Sequence, residues 1–332
     1  MDMEDPICPS IESYQVGWIC AIDIEHRVAM ALLRPRVGSP VTPKEDTNNY
    51  TCGKIAGHNV VIACIAKGRY GIANAASTAQ NMQRSFPSLR FRLMVGIGGG
   101  APTPTQDIRL GDVVVSSPAG RRPAVIHYEF GKTIQNEEFQ PLGILASPPV
   151  MLLNVLNTVD NLHKLKGSRL RRTIKTMIDS YPRIEQDIAR PDPTSDILFA
   201  SGSVHKDASS SCGKLGCASH HPAVARPRRT LDETEPYIHY GLIASADRLM
   251  KNAVQRDRLA ERHGALCFEM EAAGLMDNFP CLVVRGISDY SDTHKNDEWQ
   301  GYAAAVAAAY AKEILKTIPS AHHLSYLGGS KV

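Results

Sequence analysis

No apolar run in this chain approaches the roughly 20 residues that a membrane-spanning helix needs, which argues against an integral membrane protein. Nor is one sign of charge in excess. The 37 lysines and arginines against 34 acids leave a formal net charge of +3, too little to demand a nucleic-acid partner. The N-terminus, MDMEDPICPS, is acidic where a secretory signal would be basic and then apolar. Internal repeats are absent, and aromatic residues are sparse at 6%. Hydrophobic content, by contrast, is an ordinary 43%. Cys20, Cys52, Cys64, Cys267 and Cys281 sit inside apolar strand-like runs, as reduced core cysteines do. These features lead us to expect a globular protein of the cytoplasm, with the nucleus as the alternative. At 332 residues the chain can bury a large core in one large domain or two ordinary ones.

Short strand-like patterns alternate with helical ones. VGWICAI (16–22) reads as a strand, and HRVAMALL (26–33) begins a helix. TCGKIAGHNVVIACIA (51–66) reads as a hairpin turning at Gly57, His58 and Asn59. GIANAASTAQNMQRSF (71–86) has helical spacing, FRLMVGIGGG is a strand entering a glycine-rich turn, and DVVVSS is the next strand. Helical periods cover 150–165, 248–264 and the alanine-rich 301–318. Such alternation implies an α/β fold, with a largely parallel or mixed sheet covered on both faces by helices.

Between Lys166 and about Tyr237, Ser, Pro, Gly and charge dominate and apolar periodicity fades. We read this stretch as an insertion, poorly ordered in part, into one domain spanning 14–317, with flexible tails at 1–13 and 318–332. RPRR (226–229) is either a solvated basic loop or a localisation or phosphate-seeking patch. Cys212 and Cys217 lie near His205, His220 and His221, at the loose edge of zinc-ligand spacing. Polar loops reach such spacings readily, so a structural zinc stays open while no metal is expected at the reacting centre.

Two segments near the end carry the chemistry. CFEMEAAG (267–274) sets Glu269 and Glu271 around Met270 and runs into small residues that suit a helix start. VVRGISDY (283–290) is an apolar strand ending in Ser288 and Asp289. In an open α/β sheet the ligand crevice lies outside the carboxyl ends of the strands, where Asp289 would sit. A carboxylate partly desolvated there is suited to donate a proton. Equally, an Asp at this point could simply cap the next helix. The glycines of VGIGGGAP (95–102) lack the following helix of a dinucleotide-binding loop, so no NAD or other cofactor is expected. They would let the backbone approach a sugar or a nucleophile closely.

EMEA followed by R-x-ISD resembles the nucleoside phosphorylase and nucleosidase superfamily, which includes purine nucleoside phosphorylases and methylthioadenosine/S-adenosylhomocysteine nucleosidases. GWICAIDIEHRV (17–28), MVGIGGGAP with LGDVVVS (94–116) and HYGLIASADRLM (239–250) match further family segments in the same order. The resemblance covers most of 14–164 and 237–317, and is strongest to the fungal-type branch through YEFGK and CFEMEAAGLMDNFPCLVVRGISDYSD. It implies a purine nucleoside substrate, a homodimer or higher homo-oligomer, and particular residue roles. Asp289, with Ser288 beside it, would protonate N7 of a 6-aminopurine. Glu271 would grip the 2′- and 3′-hydroxyls, with Met270 under the ribose. Phe268 would line the base pocket, Ser245 would lie on a loop closing over it, and Ile97 and Gly98 would approach the substrate. For Met270 and Phe268 plain core packing is the other reading.

The nucleophile separates hydrolase from phosphorylase. Phosphorylases of this superfamily place one phosphate-binding arginine after the first strand and another before the glycine-rich loop. Here those positions match Glu25 and Met94. A glutamate repels phosphate but can orient a water and accept its proton. Arg27, two residues on, or Lys67 and Arg69 could restore positive charge. Water is favoured over phosphate, so a purine nucleoside N-ribohydrolase is expected. A phosphorylase and a signalling or nucleotide-cleaving module, of the kind fused to immune-type receptors, are the alternatives. Arg121 and Arg122 would matter with a 5′-phosphate.

Overall fold

The computed structural model describes residues 9–135, 139–207, 210, 212–229 and 235–320. The expected tails at 1–13 and 318–332 fall largely outside these. Eleven strands join in one mixed sheet: β1 Val16–Cys20, β2 Arg36–Val37, β3 Tyr50–Ile55, β4 His58–Cys64, β5 Phe91–Gly100, β6 Val113–Ser116, β7 Val125–Lys132, β8 Gln140–Ile144, β9 Ile238–Ser245, β10 Ala265–Glu269 and β11 Leu282–Asp289. Their order is β2-β3-β4-β1-β5-β11-β6-β9-β7-β8, with β10 bridging β5 and β9. The centre is parallel, β4 to β1 to β5 to β11, so β1, β5 and β11 all end on one edge. Among the described residues no helix is long and apolar enough to cross a membrane.

Among the described residues, alternation along the strands feeds two large cores and a smaller one around Ile126, Tyr128, Leu242 and Phe268. On β1, Val16, Trp18 and Cys20 face one apolar cluster and Ile19 faces the other. The first core is closed by α1 Asp23–Leu32, by α3 Val150–Lys166, by α4 Leu170–Ser180 and by α9 Gln300–Thr317; the second by α2 Ile72–Ser85. α9 is buried on nearly every side, which its run of alanines permits, and it touches β5, β6, β11, α1, α3, α4 and α5 (Glu185–Ile188). Closeness has a strict requirement below it. A Cβ on Gly286 of β11 would stand 1.9 Å from the backbone oxygen of Ala303.

Four local readings are corrected. α1 begins at Asp23 rather than at His26, which draws Glu25 into its first turn. The helix expected from Arg248 starts only at Ala253, because the Asn252 side chain caps it by accepting from Gln255 N at 3.0 Å. The helix start expected after Glu271 is a single 3₁₀ turn, Ala272–Gly274. Gly96 and Gly98–Gly100 lie within β5 rather than in a turn, since their missing side chains make room for Glu25, Arg285, Cys267, Asp289 and Ser291. Polar residues also hide a pattern in the middle stretch. Leu170, Ile174 and Met177 recur at helical spacing along α4 and join the first core.

Gly286→Ala is expected to destabilise the protein by about 1–3 kcal/mol, the usual scale of overpacking, because the obstructing atom is backbone. Gly38→Ala, with nothing within 4 Å of its added Cβ, should be neutral. Urea denaturation of both variants measures the difference.

Candidate active site

A cleft of about 880 Å³ opens at the shared edge where β1, β5 and β11 end. Glu25, Ile97, Gly98, Phe268, Glu269, Met270, Glu271, Arg285, Ser288, Asp289 and Lys295 border it. Of the residues proposed from sequence, all but Ser245 meet there. Ser245 is fully buried at the end of β9, and its Oγ accepts from Ala273 N at 3.0 Å. It supports the 3₁₀ turn behind Glu271, because the side-chain direction at the strand end points it under that turn.

The floor is organised by Arg285, 1% exposed in the middle of β11. Its Nη2 is ion-paired to Glu269 and lies 3.3 Å from Glu271 Oε2, while Nη1 donates to Ile97 O at 3.2 Å and stands 3.9 Å from Glu25 Oε1. Three buried carboxylates around one guanidinium leave a surplus of negative charge in a poorly solvated place. Burial, with Glu269 and Glu25 adding to it, pushes the Glu271 carboxyl up to about 7 against the opposing pull of Arg285. Burial likewise raises Glu25, although Arg285 and three backbone N–H groups oppose it. The same acids raise the Arg285 guanidinium despite its desolvation.

Glu25 is held by local backbone. Its Oε2 accepts from Ala21 N at 2.6 Å and Ile22 N at 3.1 Å, and Oε1 accepts from Ile97 N at 2.7 Å. A carboxylate oxygen accepts about two hydrogen bonds, so Oε2 is filled and Oε1 keeps one position for a water. This pinning depends on Gly96, whose Cβ would lie 2.2 Å from Glu25 Oε1 and 2.6 Å from Arg285 Nη1. Glu269 serves the turn instead: it accepts from Ala272 N and Glu271 N. Its grip on Arg285 and on that turn holds Glu271 at the cleft.

Asp289 ends β11 opposite Gly99. It is buried, 6% exposed, in keeping with the desolvation expected from sequence, but it is not alone. Lys295 Nζ forms an ion pair with its Oδ2, Ser288 Oγ donates to the same oxygen at 2.9 Å, and Ser291 N donates to Oδ1 at 2.9 Å. Ser291 Oγ is buried with no hydrogen-bond partner, and this residue also borders the cleft. No helix follows directly for Asp289 to cap, since α9 starts at Gln300. Phe268 packs edge-on against Tyr128, with ring centroids 5.6 Å apart.

The candidate phosphate-binding positions fall differently. Arg27 does not border the cleft, and its charge is paired with Asp23 and Asp187. Met94 is fully buried against Arg285 Nη2, 3.3 Å away. Lys67 reaches the cleft, as do Arg248 and Lys251, whereas Arg69, Arg121 and Arg122 do not. Sequence reasoning gave no role to Arg285 or Glu269, although both stand in the quoted motifs, and did not reach Lys295. An arginine inside an apolar strand is a readable signal, since a buried cation demands acids, and EMEA offers two. Lys295 gives none, because only the path of the loop after β11 brings it back to Asp289.

The sheet opens its acidic cleft at the ends of parallel strands, and solved structures share this fold. The chain superimposes on the 5′-methylthioadenosine/S-adenosylhomocysteine nucleosidase of Neisseria meningitidis with a TM-score of 0.57, at 16% identity, covering 92% of this chain and 99% of that one. In sequence it is 44% identical over 308 residues to a nucleotide-binding leucine-rich repeat (NLR)-like protein of Hyaloscypha variabilis, covering 92% of this chain but 29% of that protein. A stretch of 80 residues is 35% identical to the ATP nucleosidase Cap17 of Escherichia coli, 22% of this chain and 16% of that protein. The chain thus spans less than a third of either relative. No family model matches it.

The raised Glu271 has a consequence for stability. Between its ordinary 4.5 and about 7, the folded protein holds a proton that the unfolded chain has released. Stability from this group therefore falls as pH rises through that window. Glu271→Gln, which cannot ionise, should flatten the trend. Urea midpoints of both proteins on either side of the window measure it, and equal slopes would contradict the assignment.

Proposed function

We propose that this chain hydrolyses the N-glycosidic bond of adenosine-type purine nucleosides, releasing free base and free ribose. The observation that carries this reading is Glu25, pinned by three backbone N–H groups with one acceptor position left at a cleft that has Asp289 on another wall. A water in that position gives a proton to Glu25 while its oxygen bonds to the anomeric carbon. The bond from that carbon to purine N9 breaks, its electrons pass to the base, and Asp289 delivers a proton to N7. Because Asp289 is ion-paired with Lys295, that proton comes from the Lys295 ammonium, passed through Asp289 as the base departs and leaving Lys295 neutral. Ionised Glu271 accepts from the two ribose hydroxyls and favours the cationic sugar in the transition state. Met270 and Phe268 supply apolar contact for ribose and base, and Ser288 orients Asp289.

Phosphate suits this site poorly. It would meet Glu25 and Glu271, and the guanidinium beside them, Arg285, already faces three glutamates. A second reading concerns the substrate's 5′ end. Lys67, Arg248 and Lys251 border the same cleft, and cations there favour a 5′-phosphorylated nucleoside. The similarity to an enzyme named as an ATP nucleosidase supports the same direction.

Incubation with a panel of nucleosides and nucleotides, with and without phosphate, followed by chromatography, tests both readings. Base release independent of phosphate, with free ribose or ribose phosphate as co-product, is expected. Ribose 1-phosphate appearing in proportion to added phosphate would refute hydrolysis.

Asp289→Asn should lower turnover by on the order of a hundredfold or more, the usual scale for a general acid, with a smaller change in KM. The loss should shrink on a nitrophenyl riboside, whose leaving group needs no proton. Equal losses on both substrates would mean that Asp289 only shapes the pocket.

A further inference from the structure

Away from the cleft floor, the middle stretch and the loop after β11 meet in a cluster of sulfur and imidazole groups. His205 Nδ1 lies 3.2 Å from Cys217 Sγ and 3.7 Å from Cys212 Sγ. Its other ring nitrogen, Nε2, lies 2.9 Å from Ser210 O. Donation of Nε2–H to that carbonyl leaves the Nδ1 lone pair facing both sulfurs, which is how a metal-bound histidine is oriented. His221 and His294 bring ring nitrogens to within 4.8 Å of Cys217 Sγ and of each other. His294 is 7% exposed, and among the described residues neither ring nitrogen has a hydrogen-bond partner, although Asp292 Oδ1 stands 3.8 Å from Nδ1. Its ring is wedged against Phe199, with centroids 4.0 Å apart. A buried imidazole with no hydrogen bond to either nitrogen is costly unless something else takes the lone pair.

We infer that Cys212, Cys217, His205 and His294 bind one zinc ion in a closed, structural site. Tetrahedral zinc with bonds of about 2.3 Å to sulfur and 2.0–2.1 Å to nitrogen sets ligand-to-ligand edges of about 3.6–3.8 Å. The His205-to-Cys212 separation, 3.7 Å, matches that length, and the His205-to-Cys217 separation, 3.2 Å, is somewhat shorter. Two thiolates and two imidazoles suit zinc rather than calcium or magnesium, which take oxygen ligands. Binding displaces the two thiol protons to solvent as the thiolate–zinc bonds form. His221, four residues after Cys217, sits at the rim, and His220 faces solvent.

The ligands join two distant segments. His205, Cys212 and Cys217 come from the middle stretch, and His294 comes from the loop carrying Ser291 and Lys295. The two segments also meet where His205 N donates to Thr293 Oγ1 at 2.8 Å and Cys212 Sγ approaches His294 O at 3.8 Å. Zinc would therefore brace the loop that sets Lys295 on Asp289, whatever substrate the cleft takes.

The test uses the full chain with a histidine-free affinity tag, purified without chelator, and elemental analysis of bound metal. One zinc per chain is expected. Cys217→Ser and His294→Ala should each lose bound zinc by on the order of tenfold or more, while His220→Ala keeps it. Should the variants fail to fold, chelated wild-type chain reconstituted with cobalt(II) decides: intense tetrahedral d–d bands with thiolate charge transfer support the site. A pale octahedral cobalt spectrum would overturn it. So would a Cys212–Cys217 disulfide in the freshly purified protein, or zinc retained when both cysteines are replaced.

Discussion

A single buried guanidinium governs the arrangement around the cleft. Arg285 stands in the middle of the innermost strands, where an unpaired cation would be strongly destabilising, so acids must come to it from elsewhere in the chain. Three do: Glu25 from the first turn of α1, Glu269 from the end of β10, and Glu271 from the turn beyond. Removing any one leaves the others over- or under-compensated, which makes the floor a coupled unit rather than a set of independent side chains. The surplus negative charge is also what the chemistry uses. In the proposed reaction it disfavours an anionic nucleophile and favours a sugar that becomes cationic, while burial raises Glu25 and, with the neighbouring acids, Glu271.

Around that charge the backbone is drawn unusually close. β5 carries glycine where Glu25, Arg285 and Asp289 need space, and Gly286 lets α9 rest directly on β11. These glycines are therefore packing features before they are features of flexibility. The alanine-rich α9 follows the same logic, since small side chains allow a helix to be buried on nearly all sides without pushing the sheet apart. The acidic floor and the dry helix behind it depend on each other, because water admitted through a looser back layer would weaken every charge interaction at the cleft.

The middle stretch has two characters. Its first part contributes α4 to the core through Leu170, Ile174 and Met177. Its later part lies against the loop after β11, through His205 and Arg226, whose Nη1 donates to Tyr290 Oη at 2.8 Å. A segment that looks like an interruption in composition thus braces the loop next to Asp289.

Much of this was legible in the residues alone. The alternating strand and helix patterns called for a mixed sheet covered on both faces, and EMEA with R-x-ISD marked Glu271 and Asp289 for one site. Glu25 stood out because a phosphate site would not place an acid there. What sequence periodicity could not reach is contact between residues far apart in the chain. Ser245 turned under the 3₁₀ turn instead of facing the cleft, Lys295 returned to Asp289 around a loop, and His294 met Cys217 from the far side of the intervening chain. Local pattern records which side of a strand or helix is apolar, and so it determines the layers of the fold and the strand ends that carry acids. Which charges neutralise one another depends on where loops close in space, and only the tertiary structure decided that.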